Sequence, residues 1–458
     1  MPNTPLPPPF TRQMQTLLGE AWPEFEIALN QSAPVSIRLN PAKPGWGGNI
    51  QDKTPVPWHP QGYYLPERPV FTLDPAFHAG AYYVQEASSM FLYEAVRQTT
   101  DFSRSLKVLD LCAAPGGKST LLASMLFEQG NQGLLVANET IRSRIGPLRE
   151  NLERWGHPNI AVSNAEVEAF AAMEGFFDLV LADAPCSGEG LFRKDPDAVQ
   201  EWSLPHVEFC ASRQKRILAA AVQALAPGGC LLFSTCTYNA TENDDNAAWL
   251  AKTFDLQVIR LQIPADWGVV ETGWGYQFFP HRVRGEGFYL TVFQKKATTL
   301  KKQATPGGFK NLKPLAKNQV SQAAAWLAPG AEVSFYQTAA GEVLALPESL
   351  EEEFRFLDTM LKSKWFGVNT GEFKGRDFVP NHALALNAWV SPEIPFVELN
   401  LENALLFLKK ETFDLPDNSP KGWVLARFQG LNLGWMKVLP NRMNNYLPQE
   451  RRIRMAIA

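Results

Sequence analysis

Between residues 106 and 236 the chain returns five times to a short, nearly continuous apolar run. These are LKVLDL (106–111), GLLVANE (133–139), NIAVSN (159–164), FDLVLAD (177–183) and CLLFSTC (230–236). Helical patterning lies between and after them, at 142–155, at 207–225 ending in Pro227-Gly228-Gly229, and through Phe254. Runs rich in Val, Leu and Ile are strands buried on both faces, and their alternation with helices predicts a parallel, doubly wound α/β sheet. Asn239 and Glu242 stand at the spacing of a capping box before the last of these helices. FYLTVFQ (288–294) reads as the strand that closes the unit.

A chain of 458 residues exceeds what one hydrophobic core supports, so two or three domains are expected. Residues 1–73 read as a small N-terminal extension: a Pro-rich start, one helix over 12–29, a strand at SIRLN (36–40), then Pro- and Gly-rich loops. Residues 74–294 form the core unit and open with a helix at QEASSMFLYEAV (85–96). Residues 295–318 read as a linker, since 295–317 hold seven lysines and no acidic residue, which suits solvent or phosphates. Residues 319–458 read as a further mixed α/β or β-rich module.

Composition narrows the class. With 45% apolar and 20% charged residues the chain is globular, and no run has the roughly 18 apolar residues of a membrane helix. The N-terminus MPNTPLPPPFTRQ lacks the apolar stretch of a signal peptide. Five cysteines without a CxxC pair point to reduced thiols in the cytoplasm, and six scattered histidines point to no metal site.

Three segments carry chemistry. DLCAAPGGKST (110–120) is a strand end, a glycine turn and a helix start, which is how a Rossmann-like sheet meets a nucleotide. Gly116 and Gly117 let a ligand approach the backbone, but neither GxGxxG nor GxxxxGK[ST] is present, so pyrophosphate is disfavoured. Glu139, ending the second run, is placed to accept ribose hydroxyls, and adenosine with a sulfonium tail fits better. DAPCSGEG (183–190) brings Asp183 and Cys186 to the same sheet edge, and STCTY (234–238) brings Cys236 there. Cys210 and Cys230 read as apolar filler, and Cys112 as a packing residue or backbone contact in the turn.

Two thiols, one carboxylate and an adenosine-type site point to carbon methylation of a pyrimidine. C5 of cytosine becomes nucleophilic only after a thiolate adds to C6. A free thiol, with a pKa near 8.5, is mostly protonated at neutral pH. A helix start after Cys236 and the nearby Lys118 are expected to favour the thiolate. Asp183 would hold the N3 edge, and the second thiol would help remove the C5 proton.

At these motifs the sequence resembles the RNA cytosine-5 methyltransferases of the Nop/Sun group. DLCAAPGGKS, DAPCSGEGLFRKDP and STCTY carry the likeness, with FHAGAYYVQEASSM and PHRVRGEGFYLTVF flanking them. The resemblance implies a Rossmann-like core that uses S-adenosylmethionine, with Cys236 as nucleophile and Cys186 aiding product release. It implies cofactor contacts from Cys112, Ala113, Ala114, Pro115, Gly116, Gly117, Lys118, Glu139 and Asp183, with Asn164 matching the contact from the third strand. The long C-terminal part, with RMNNYLP at 442–448, looks like the bacterial ribosomal subgroup called the F type. That implies a monomer acting on small-subunit ribosomal RNA, with an RNA-binding N-terminal extension and a PUA-like C-terminal region. Arg193, Lys194, Arg282 and Arg284 are expected to hold RNA near the active edge. The competing readings are an RNA-binding assembly factor without turnover, a transfer RNA substrate, and amino-group methylation. The last uses Asp/Asn-Pro-Pro-aromatic where this chain has DAPC.

Overall fold

The computed structural model describes residues 5–43, 52–128, 130, 132–297 and 307–456. Its centre is a sheet whose strands are β1 (Lys107–Asp110), β2 (Leu134–Asn138), β3 (Ile160–Ser163), β4 (Phe177–Asp183) and β5 (Leu225–Thr235). Added to them are β6 (Tyr276–Phe278), β7 (Phe288–Gln294) and β8 (Lys364–Phe366). The order is β6-β7-β5-β4-β1-β2-β3-β8, with Val270–Glu271 outside β6. β3, β2, β1, β4 and β5 are mutually parallel; at the margins β7 pairs antiparallel with β5, β6 antiparallel with β7, and β8 antiparallel with β3. Strand order reverses beside β1, which opens a crevice at the carboxyl ends of β1 and β4.

Alternate residues of each strand enter opposite cores. Val108, Leu135 and Leu179 pack with Leu121, Met125, Leu148 and Leu152 from helices α1 (Gly117–Glu128) and α2 (Arg142–Trp155). Leu109, Val136 and Val180 pack with Ile217, Leu218 and Leu250 from α3 (Leu204–Ala224) and α4 (Asp244–Phe254). This two-sided burial is why the strands read as continuous apolar runs. Phe354 and Leu357 of the later helix Glu351–Met360 complete the second core.

Several local expectations shift. The helix expected over 12–29 is two helices, Pro8–Leu18 and Trp22–Leu29, broken at Gly19 where φ is +54°. The helix expected over 85–96 begins as a 3-10 turn, Ser88–Phe91, and becomes α-helical over Leu92–Thr99. The strand ending in Cys236 starts at Leu225, because Pro227-Gly228-Gly229 forms an irregularity within β5 rather than a terminator.

The N-terminal sheet holds Thr54–Pro55, Gly62–Leu65, Val35–Leu39 and Tyr82–Val84, in that order. Phe10, Met14, Trp22 and Phe25 of its two preceding helices pack on Phe192, Trp202 and Tyr238, behind the loops that follow β4 and β5. In the C-terminal part an antiparallel five-stranded sheet (residues 312–380) precedes a four-stranded one (396–445). The latter shares a core with the N-terminal sheet, where Ile37, Leu65 and Tyr82 meet Val397, Val424 and Met436. Residues 298–306 of the lysine-rich segment lie outside the described residues. Among the described residues, no helix is long and apolar enough to cross a membrane, and no His/Cys/Asp/Glu group could hold a metal.

Candidate active site

Asp183 ends β4 and Cys236 immediately follows β5, so parallel pairing carries their loops to one edge. The Cys186 and Cys236 sulfurs lie 3.2 Å apart, and the Cys236 N–H donates to the Cys186 Sγ at 3.4 Å. Asp183 accepts from Lys118 Nζ at 2.7 Å through one oxygen and from Ser234 Oγ at 2.7 Å through the other. Lys118 stands at the start of α1, above the Phe288 ring at 5.3 Å. Burial opposes its charge, but Asp183, then Cys236 and Asp110, together raise its pKa above the ordinary lysine value.

Cys236 shares the field of the Lys118 ammonium. The Cys186 thiol is pushed well up by its hydrogen bond to Cys236, by burial, and by the charges of Cys236 and Glu242.

The glycine turn leaves β1 at Asp110, whose buried carboxyl accepts from Ser119 Oγ at 2.6 Å. Burial pushes its pKa up to about 7, and its second oxygen has no partner. Gly116 has φ of +112°, a conformation side chains resist, and this turns the chain into α1. Glu139 is buried beyond β2, accepts from the Ile141 N–H at 2.9 Å, and lies 3.3 Å from Arg144. Asn164 lies beyond β3 and donates to the carbonyls of Glu139 at 2.7 Å and Thr140 at 2.9 Å, fixing the turn that carries Glu139. Cys112 is half-buried in the glycine turn, and burial raises its thiol. Cys210 and Cys230 are buried away from the sulfur pair, Cys210 against His206 and Cys230 on the Thr99 carbonyl.

Two expectations change here. The helix after Cys236 starts only at Asp244, so its N-terminus is not at the sulfur, and Lys118 is left as the favouring charge. Arg193 is not a free cation: it is buried, bonds Glu286 at 3.0 Å, and donates to the carbonyls of Gly285 and Ala28. Lys194 also pairs with Glu286 at 3.4 Å, while Arg284 stacks on Tyr64 at 4.4 Å.

Sequence reasoning missed two fully buried carboxylates. Glu189 accepts from Thr237 Oγ1 (2.6 Å) and from the N–H groups of Tyr238 (2.8 Å) and Asn239 (3.0 Å). Of the expected capping box one half forms, the Glu242 N–H donating to Asn239 Oδ1 at 2.9 Å, but the Glu242 carboxylate does not return to the Asn239 N–H, which goes to Glu189. The Glu242 carboxylate accepts from the Ser187 N–H at 3.0 Å and from Gln214 Nε2 of α3 at 2.8 Å. Gly190 completes the junction, its N–H donating to the Cys236 carbonyl at 2.8 Å.

Comparison with known proteins agrees with the motifs. The model described as 16S rRNA methyltransferase RsmB/F matches residues 99–294. The N-terminal domain of 16S rRNA methyltransferase RsmF matches 6–87, and the Methyltransferase RsmF PUA domain matches 395–453. The Ribosomal RNA small subunit methyltransferase F of Vibrio vulnificus (strain YJ016) is 32% identical over 478 residues, covering 98% of each chain. The chain belongs to the RsmF-type 16S rRNA methyltransferases. A second RsmF-type relative, the methyltransferase F of Shewanella loihica (strain ATCC BAA-1088 / PV-4), is 31% identical over 86% of this chain and 83% of its own. Among solved structures, a methyltransferase homolog protein from Pyrococcus horikoshii matches with a TM-score of 0.54 and 26% identity, over 64% of this chain and 96% of that one. NSun6 from the same organism, solved with SFG, has a TM-score of 0.53 at 19% identity, covers 63% and 98%, and speaks to the fold. The Rossmann-like core expected from the sequence, and the membership its motifs suggested, are both present.

Proposed function

We propose that the chain methylates C5 of cytosine in small-subunit ribosomal RNA, with S-adenosylmethionine as donor and a transient Cys236–C6 bond. The observation that carries this is the pair of touching sulfurs at the sheet edge, beside Asp183 held by Lys118 and Ser234. The residues present suit the cofactor. Glu139 offers a carboxylate for ribose hydroxyls, and Asp110 holds an unpartnered buried oxygen suited to an ammonium group. The turn 112–118 is the backbone that would cradle it, and Asn164 braces the Glu139 side. When bound, the cofactor supplies an electrophilic methyl group.

The chain's own residues perform the rest. The hydrogen bond to Cys236, burial and the charge of Glu242 raise the Cys186 thiol, which leaves Cys236 as the thiol suited to attack C6. Asp183, oriented by Lys118 and Ser234, accepts the N3–H that forms when water protonates N3 as C6 is attacked; the adduct is then a neutral enamine nucleophilic at C5, and the N3 proton returns to water when Cys236 leaves. Once Cys236 is bonded to carbon, its charge no longer opposes ionisation of Cys186. Cys186 then takes the C5 proton, directly or through a base it orients. The ring electrons return and expel Cys236 as thiolate. The target must leave its helix to reach this edge. The divisions 1–73 and 319–458 flank the core and supply RNA-holding surface in this reading.

Purified protein, S-adenosylmethionine and small-subunit RNA should yield 5-methylcytosine by nucleoside mass spectrometry. Cys186→Ala should accumulate an RNA adduct that survives denaturing gels, and Cys236→Ala should be inactive and form none. Cytosine methylation by Cys236→Ala would overturn the assignment.

A further inference from the structure

The loops after β4 and β5 exchange carboxylates. Glu189, three residues past Cys186, reaches across to the residues that follow Cys236, and Glu242, six past Cys236, reaches back to the residue that follows Cys186. Glu189 accepts further bonds from Trp202 Nε1 at 3.1 Å, Asn239 Nδ2 at 3.1 Å and, in the first helix of the chain, Gln13 Nε2 at 3.3 Å. Asn239 touches both carboxylates, since its Nδ2 also lies 2.8 Å from Glu242. All the partners named for either group are N–H and O–H donors. Burying two like charges this close is costly, and Glu242 is pushed up by burial against the pull of its donors. An apolar pair would fill the space more cheaply, but it could not grip backbone amides of the opposite loop.

We infer that Glu189 and Glu242 are positioning residues, a reciprocal brace that holds the two cysteine loops in register so that one sulfur attacks while the other waits. Each carboxylate governs the loop it grips. Glu189 sets the segment 237–239 and with it Cys236. Glu242 sets Ser187 and with it Cys186. The inference rests on the proposed roles of the two cysteines, and it predicts that the two glutamates fail differently.

The test uses the full chain with S-adenosylmethionine and RNA carrying 5-fluorocytidine: once C5 has been methylated it carries fluorine and no proton, elimination is blocked, and attack followed by methyl transfer ends in a stable adduct. Glu189→Gln sets an amide N–H against the donors of the Cys236 loop. It should slow adduct capture roughly 10²-fold, the scale of a 1 Å misplacement, while leaving the S-adenosylmethionine Kd unchanged. Glu242→Gln should capture at the wild-type rate and, on ordinary RNA, accumulate adduct as Cys186→Ala does. Equal losses of capture and release in both variants, or wild-type kinetics in both, would overturn the brace. Failure of the wild type to be captured would instead overturn the underlying role of Cys236. Should the glutamine variants not fold, Thr237→Val and Ser187→Ala each remove one hydroxyl from the brace and no charge. The Ser187 hydroxyl donates to Glu242 as the Thr237 hydroxyl does to Glu189, so the two variants should show the same split at roughly fivefold, the worth of one hydrogen bond, and wild-type rates in both would likewise refute the inference.

Discussion

Arg38, in the N-terminal sheet, should couple that sheet to the cofactor turn, and Arg38→Met removes the coupling. Its guanidinium is fully buried and donates to Gln85 Oε1 at 2.7 Å, Thr120 Oγ1 at 2.6 Å and the Gly117 carbonyl at 3.2 Å, over the Trp155 ring at 4.5 Å. Charged hydrogen bonds contribute about 2 kcal/mol each and the ring contact about 1. Burial opposes this, lowering the pKa from 12.5 to about 9, which at 1.36 kcal/mol per unit costs about 5 kcal/mol. The net gain is small, but methionine also strands the buried Gln85 oxygen, at about 2 kcal/mol. A loss of about 4 kcal/mol is expected, lowering the Tm of the core unit, about 220 residues, by roughly 8–16 °C. Because two of the bonds end on Gly117 and Thr120, the S-adenosylmethionine Kd should rise roughly tenfold. Calorimetry would measure both. Arg38→Lys should recover little, since an ammonium cannot span the same fork of acceptors. A variant with wild-type Tm and wild-type affinity would refute the reasoning.

Three further outcomes follow from particular contacts. His157 is buried, and burial followed by the charges of Lys43 and Arg38 lowers its pKa from 6.5 to about 3. The unfolded chain therefore takes up this proton first as pH falls below 6.5, and stability drops by about 2 kcal/mol by pH 5; His157→Gln should flatten that slope in urea titrations. Gly190→Ala places a Cβ 2.7 Å from the Gly287 carbonyl oxygen and 2.8 Å from that of Cys236, so methylation should fall roughly 10²-fold with S-adenosylmethionine binding intact. Arg193→Gln should destabilise by about 3 kcal/mol, because it leaves buried Glu286 with Lys194 as its one remaining cation, yet leave the salt dependence of RNA binding unchanged in filter-binding titrations.

The five core strands were legible because both of their faces are buried, which writes an unbroken apolar run into the chain. The site was legible because parallel strands carry their carboxyl-terminal residues to one edge, so Asp183, Cys186 and Cys236 could be placed together from their runs alone. What was not legible depends on distant partners. Glu242 looked like a helix cap because its local spacing permits one, but its donor Ser187 lies 55 residues away. Arg193 looked like a surface cation because nothing near it reveals Glu286, 93 residues on. β8 could not be foreseen as a strand of the core sheet, since the partner it extends, β3, precedes it by most of the core.

Peptide mass spectrometry of the wild-type chain trapped on 5-fluorocytidine RNA in the presence of S-adenosylmethionine reads the central claim directly, because it identifies the residue bonded to C6. The modified peptide should contain Cys236, and Cys186 should be recovered as an unmodified thiol. RNA bonded to Cys186, or methyl transfer without any bonded cysteine, would contradict the account.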